Sequence, residues 1–272
     1  MDGVVNAALQ THAPLDFALQ GGDYGFGPFG SDKTVRGKHP WTSELPLIVL
    51  PGNHENWDTV AEMAGVVSDD NFYVAKRPEI VERDGVSMLL LPGADSIDKD
   101  GRRAYPPWQS WWPQEEVLDS HVEEAMALLE EANGVDIIVT HCAPLAVVGA
   151  MGLKGPKIQP DRVPSSVALN TLYYSLAYDS NYPLPWMWVF GHYHLPQHLS
   201  AMIPNGYMYG APIISRRWFA DVTGFAVIDT EEETLTVVSR NNVDGRSFLK
   251  GEYTREEVIP LPPRIINRGY NE

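Results

Sequence analysis

Cysteine is nearly missing from this chain: Cys142 is the one thiol in 272 residues, so no disulfide can form within it. A chain of that length needs no covalent staple, because its surface-to-volume ratio leaves a sizeable core to bury, and one domain is expected. The lone thiol fits a reducing compartment, with cytoplasm as the expected location. Long apolar runs are lacking too. PLIVL at 46–50 and VSMLLL at 86–91 fall far short of a bilayer crossing, so no membrane span is expected. The N-terminal residues have no basic stretch ahead of their apolar ones and no small-residue cleavage site behind, so they do not read as a secretory leader. Positive charge is scarce: 20 Lys and Arg stand against 36 Asp and Glu, a formal net charge of -16. That balance argues against a nucleic-acid binder of the basic-groove kind, whose affinity comes from neutralising phosphates. Nucleic acid as a substrate stays compatible with it, because bound divalent cations invert the field locally.

What is present is a series of short apolar runs. Strands are expected at 15–19, 46–50, 71–75, 86–91, 135–140 and 186–190, several of them continuous apolar stretches of the kind a strand covered on both faces requires. A helix is expected over 115–131. There Leu118, Val122, Ala125 and Leu129 recur at spacings of three and four, with Glu115, Glu116, Glu123, Glu124 and Glu130 on solvated faces. Pro113 precedes it and Asn133-Gly134 closes it. A second helix is expected over 165–177, and from about 207 onward GYMYG, GFAVID and TLTVVS read as short strands. The chain is read as a single domain over 1–272. Residues 150–185 form a candidate cap insertion, and the proline-rich residues 255–272 an extended tail.

Four polar clusters each follow an expected strand: GGDYG at 21–25, PGNHE at 51–55, THCAP at 140–144 and FGHYH at 190–194. Residues beyond the C-terminal ends of strands converge at one sheet edge however far apart they lie in sequence. Taken singly, Asp23 and Asn53 read as turn or cap residues and His141 as a partly buried histidine. His192 and His194 share one face if their segment is extended. Jointly, imidazole, carboxylate and carbonyl oxygen suit manganese, iron, zinc or nickel.

The order GD, GNHE, a strand-final His and GHxH resembles the calcineurin-like metallophosphoesterases, from about residue 15 to at least 230. The resemblance implies a four-layer α/β/β/α sandwich and one or two divalent ions, manganese foremost. It implies that Asp23 bridges two metals, that Asn53, His141 and His192 complete the second site, and that His194 serves the first. It places His54 beside the substrate phosphate. The implied reaction is hydrolysis of a phosphoester, more readily a phosphodiester or a small phosphorylated molecule, by in-line attack of metal-bound hydroxide. The Trp-rich segment at 94–116 is similar to that of bacterial and phage-encoded members.

One departure stands at the beginning. The family opens with a D-x-H motif ahead of GD, and no D-x-H occurs among the 22 residues before Asp23; Asp2 and His12 have the right chemistry at the wrong spacing. Either Met1 is internal to a longer product, or the first strand is absent and one metal is held tightly; the first is preferred, since a lost strand exposes its neighbour's edge. The contrasting functional reading is a catalytically impaired member acting as a metal-binding or protein-interaction module. Residues 94–116, with Lys99, Arg102, Arg103, Trp108, Trp111 and Trp112, form a candidate basic and aromatic wall, with Arg102 and Arg103 as substrate contacts. Glu55 is a candidate to orient an imidazole, Asp58 a turn or supporting residue, and Cys142 a structural thiol.

Overall fold

The structure is a computed structural model that describes residues 8–26, 44–66, 71–102, 110–153, 158–179, 182–193, 197–200, 207–210, 224–240 and 253–264. His194, Arg103 and Trp108 lie outside the described residues. Three short parallel strands, β1 (Ala18–Gln20), β2 (Leu47–Val49) and β3 (Phe72–Val74), pair in that order. Helix α1 (Trp57–Met63) follows β2, its first turn capped by the Asn56 side chain, which accepts from the backbone N–H of Asp58 and Thr59. Strands β4 (Glu79–Arg83) and β5 (Val86–Leu91) form a hairpin around Asp84-Gly85, both at positive φ, as a two-residue primed turn requires.

After β5 come a short helix α2 (Lys99–Arg102), α3 (Asp119–Glu131), β6 (Ile137–Thr140), α4 (Leu145–Ala150), α5 (Pro164–Tyr178) and β7 (Met187–Phe190). Then follow β8 (Gln197–Ser200), β9 (Tyr207–Gly210), β10 (Gly224–Asp229), β11 (Thr234–Arg240) and β12 (Tyr253–Pro260). The large sheet has the order β4-β5-β6-β7-β9-β8, with parallel pairing from β5 through β6 and β7 to β9 and antiparallel pairing at both edges. Strands β10, β11 and β12 form an antiparallel sheet of their own.

Successive strand residues point to opposite faces, and the central strands bury both. Leu89, Leu91, Ile138, Trp188 and Phe190 pack under α3, α4 and α5 with Val122, Leu129, Val147 and Leu172. Their neighbours Met88, Leu90, Ile137, Val139, Met187 and Val189 face the other way, against Ile48, Leu50, Leu235 and Ile259 of the two smaller sheets. Leu47 and Val49 turn outward again onto Trp57 and Val60 of α1. The result is a mixed α/β sandwich in which helices cover the large sheet on one side and the β1–β3 sheet on the other.

Two expectations need correction. The helix read over 115–131 begins at Asp119, because Pro113–Glu115 form a 3-10 turn and Glu116 is extended. The helical phase therefore does not reach Glu115, which is wholly buried rather than solvated, while Leu118 is exposed. Residues 253–260, partly inside the segment read as a tail, form β12 on β11. Beyond β12 the chain is pinned: the Trp186 indole donates to the Pro262 carbonyl at 2.6 Å, and Arg264 pairs with Asp136. Within 150–185, α5 buries Leu169, Leu172 and Leu176 in the same core as α3.

Candidate metal centre

Four loops leave the C-terminal ends of β1, β2, β6 and β7 and meet at one place. The first carries Asp23, the second Asn53 and His54, the third His141 and the fourth His192. His141 Nε2 lies 3.3 Å from Asp23 Oδ1 and 3.2 Å from Asn53 Oδ1. His192 Nδ1 lies 3.1 Å from the same Asn53 oxygen, and the His141 and His192 rings stand edge to face, 5.1 Å apart. The His54 backbone N–H donates to Asp23 Oδ1 at 3.0 Å. Asp23 and His192 both have positive φ, 59° and 68°, a conformation that costs energy for an L residue and persists where the surroundings enforce it. His192 is therefore aimed by a bend after β7, not by strand alternation.

Glycine is what lets the loops approach so closely. A Cβ on Gly52 would meet Asp23 Oδ1 and stand 2.7 Å from His141 Nε2. One on Gly22, whose φ is 116°, would enter the His141 ring.

Burial would raise the Asp23 carboxyl, but His141 first, then His54 and His192, outweigh it and hold it well below the usual carboxylate range. Burial works to lower the His141 imidazole, and Asp23 with the Gly21 carbonyl overcomes it and holds the ring above its ordinary value. Burial first, and the nearby Arg102 charge with it, lower the exposed His54 imidazole below its ordinary value, against the pull of Asp23. Glu55 is wholly buried and pushed up to about 7, by burial first and then by the Asp23 charge. Among the described residues it makes no hydrogen bond to an imidazole. Its carboxyl instead accepts from the backbone N–H groups of Tyr24, Gly25 and Phe26 at 2.6, 3.0 and 2.7 Å, anchoring the loop that carries Asp23.

Among the described residues, no group of three or more His, Cys, Asp or Glu side chains is arranged to hold a metal ion. The convergence here depends on Asn53, whose amide oxygen is the contact shared by both imidazoles. The donor set nevertheless fits a cation on two counts. Ligand atoms at metal distances of about 2.1 Å lie about 3.0 to 3.4 Å from one another in octahedral or tetrahedral arrangements, and the spacings of 3.1 to 3.3 Å here fall in that range. His141 Nδ1 donates to the Gly21 carbonyl at 2.7 Å, which leaves a lone pair at Nε2 of the neutral ring. That lone pair faces two oxygen acceptors, an arrangement repulsive without a proton or cation between them.

Around the centre, Arg102 Nη2 donates to the Asn53 carbonyl at 2.9 Å and to the Ser110 carbonyl, while Nη1 donates to Ser96 Oγ. Asn53 Nδ2 donates to Ser96 Oγ at 3.0 Å. Asp58 accepts from the Trp112 indole at 3.0 Å, and Lys99 lies over the Trp111 ring and pairs with Glu116. Cys142 is buried with its thiol toward the Gly93 carbonyl, and burial pushes its pKa up, as a structural thiol requires. The Tyr193 hydroxyl accepts from the Ala143 N–H and pairs with Ser166 Oγ, tying the His192 loop to α5. The His12 ring stands edge to face with Phe225. Ser96, Tyr193 and the Gly21 carbonyl were not foreseen, because lone polar groups and carbonyls on separate loops carry no local pattern.

No protein-family model matches the chain, and no curated protein matches it. Among solved structures it is similar to phosphopantetheinyl hydrolase from Mycobacterium tuberculosis, with a TM-score of 0.36 and 13% identity over 62% of this chain and 69% of that one. It is similar also to Vps29 from Entamoeba histolytica. A single mutant of Vps29 gives a TM-score of 0.31 at 13% identity, and the wild type complexed with zinc gives 0.29 at 12%. Each of these covers 89% of this chain and 96% of that one. All three likenesses are remote.

Proposed function

We propose that this chain is a metal-binding protein of the calcineurin-like metallophosphoesterase type that holds one divalent ion through Asp23, Asn53, His141 and His192 and acts as a binding or interaction module. The observation that carries the reading is the run of donor contacts from Asp23 through His141 and Asn53 to His192, each at a spacing suited to ligands of a common cation. Manganese, iron, zinc and nickel suit that set. Among the described residues these four donors are the ones brought together, and the buried carboxyl of Glu55 is committed to three backbone amides. A two-metal clamp on a phosphoryl group needs ligands for both ions.

Hydrolysis of a phosphodiester or small phosphorylated molecule is the second reading, and His54 is what favours it. When bound, a divalent ion supplies Lewis-acid charge to a phosphoryl oxygen. Asp23 and Asn53 would hold that ion through their side-chain oxygens, with the imidazoles of His141 and His192. His54, whose backbone N–H donates to Asp23 Oδ1, carries an exposed imidazole that can donate to a phosphoryl or leaving oxygen.

Metal content of the purified chain, measured with hydrolysis of an aryl phosphodiester under manganese titration, separates the two. Bound metal without turnover supports the module. Saturable turnover that Asp23→Ala removes together with the metal supports hydrolysis, and absence of both metal and turnover overturns both readings.

A further inference from the structure

We infer that Arg102 and Ser96 are positioning residues for Asn53, fixing its side-chain amide so that Oδ1 rather than Nδ2 faces His141 and His192. The inference rests on the metal-binding reading above. A side-chain amide has two ends of nearly equal size, and only the oxygen end can ligate a cation. Something must choose between them.

The choice lies in the hydrogen-bond capacity of Ser96. Its hydroxyl has two lone pairs and one proton. Asn53 Nδ2 donates to Oγ at 3.0 Å and Arg102 Nη1 donates to the same oxygen, so both lone pairs are taken. The Ser96 proton must then go to an acceptor elsewhere. Glu115 provides one: it is wholly buried, neither carboxyl oxygen has a full hydrogen bond among the described residues, and Ser96, Arg102 and Glu116 are the polar groups that act on it, of which Ser96 is the one with a hydroxyl proton to give. A hydroxyl whose proton points at Glu115 can only accept from Asn53. A flipped amide would set its carbonyl against an oxygen with no proton to offer.

Arg102 adds a second hold. The same guanidinium reaches the Asn53 carbonyl through Nη2 at 2.9 Å, so one planar fork secures both the backbone of Asn53 and the hydroxyl that orients its side chain. Nη2 also reaches the Ser110 carbonyl, and Nη1 lies 3.7 Å from Asp98, with the Arg102 side chain 11% exposed. A lysine could keep the charge but not these simultaneous contacts. The role differs from that of a substrate anchor. An anchor changes KM and leaves the affinity for metal alone unchanged, whereas a positioning residue changes metal affinity with no substrate present.

Titration calorimetry with Mn2+ alone, on the full chain, tests this in wild type, Ser96→Ala, Ser96→Thr and Arg102→Lys, with circular dichroism to confirm folding. Partners of metal ligands typically change affinity about 10- to 100-fold, so Ser96→Ala and Arg102→Lys should each weaken binding at least about tenfold, while Ser96→Thr stays within about threefold. Equal affinity in all four proteins overturns the inference. Wild type that binds no Mn2+ overturns the metal-binding reading instead, and the Asn53 side-chain NH2 in asparagine-labelled protein then decides the inference. A slowly exchanging resonance lost in Ser96→Ala upholds it; one unchanged by that substitution refutes it.

Discussion

Asp136→Asn should unfold more easily than wild type by about 3 kcal/mol at pH 7, and the deficit should vanish in acid. The Asp136 carboxylate accepts from Arg264 Nε at 2.8 Å, lies 2.8 Å from Arg264 Nη2, and accepts from both the N–H and hydroxyl of Ser87 at 2.8 Å. Both side chains of the ion pair are little exposed, at 11% and 12%, so solvent screens it weakly. Asparagine keeps one oxygen, best used on Ser87, and turns an NH2 toward a guanidinium that can only donate. Hydrogen bonds to charged groups contribute about 1.5–3 kcal/mol each, and breaking a buried pair from one side costs about 3–5 kcal/mol, of which this partly exposed site should show the lower end. Burial would raise the Asp136 pKa, but Arg264 and Ser87 overcome it and hold the carboxyl below its ordinary 3.8. A depressed acid stabilises above its unfolded value and loses that contribution as pH falls through the folded value. The window therefore lies below about pH 4. Urea unfolding at pH 7 and pH 3, with Arg264→Ala completing a double-mutant cycle, reads the coupling. A deficit under about 0.5 kcal/mol at pH 7, or one as large at pH 3, would refute the reasoning.

Asp95 should behave in the opposite sense. Burial, offset in part by Ser165, pushes it up to about 6 from 3.8, so its stabilising protonated form is lost as pH rises through about 6. Uncharged Asp95→Asn, with an oxygen still available to Ser165, should gain up to about 3 kcal/mol over wild type at pH 8 and nothing at pH 4, as urea melts would show. Gly52→Ala should cost about 1–3 kcal/mol by overpacking and abolish metal binding, because its methyl meets Asp23 and nears His141. Calorimetry showing wild-type metal affinity in this variant would contradict the crowded geometry.

Strands that bury both faces were legible because burial forces a continuous apolar run: VSMLLL is β5 residue for residue, and 135–140 and 186–190 contain β6 and β7. Strand β4, EIVER, was not, because it lies at the sheet edge with only partial burial and is defined by its pairing with β5. Charged β12 was hidden for a related reason, since pairing with β11 rather than apolar content makes it a strand. The meeting of Asp23, Asn53, His141 and His192 was legible from four polar clusters each following an apolar run, as strand C-termini share an edge. The role of Glu55 was not. Its partners are backbone amides about thirty residues earlier in the chain, and a contact of that kind leaves no mark on residue spacing.

The most direct test of the account is elemental analysis of the purified chain after equilibration with excess Mn2+ and removal of free metal, in wild type and in His141→Ala. The account predicts one ion per chain in wild type and a loss of metal in the variant that still folds. No stoichiometric metal in wild type, or the same metal content in His141→Ala, would contradict it.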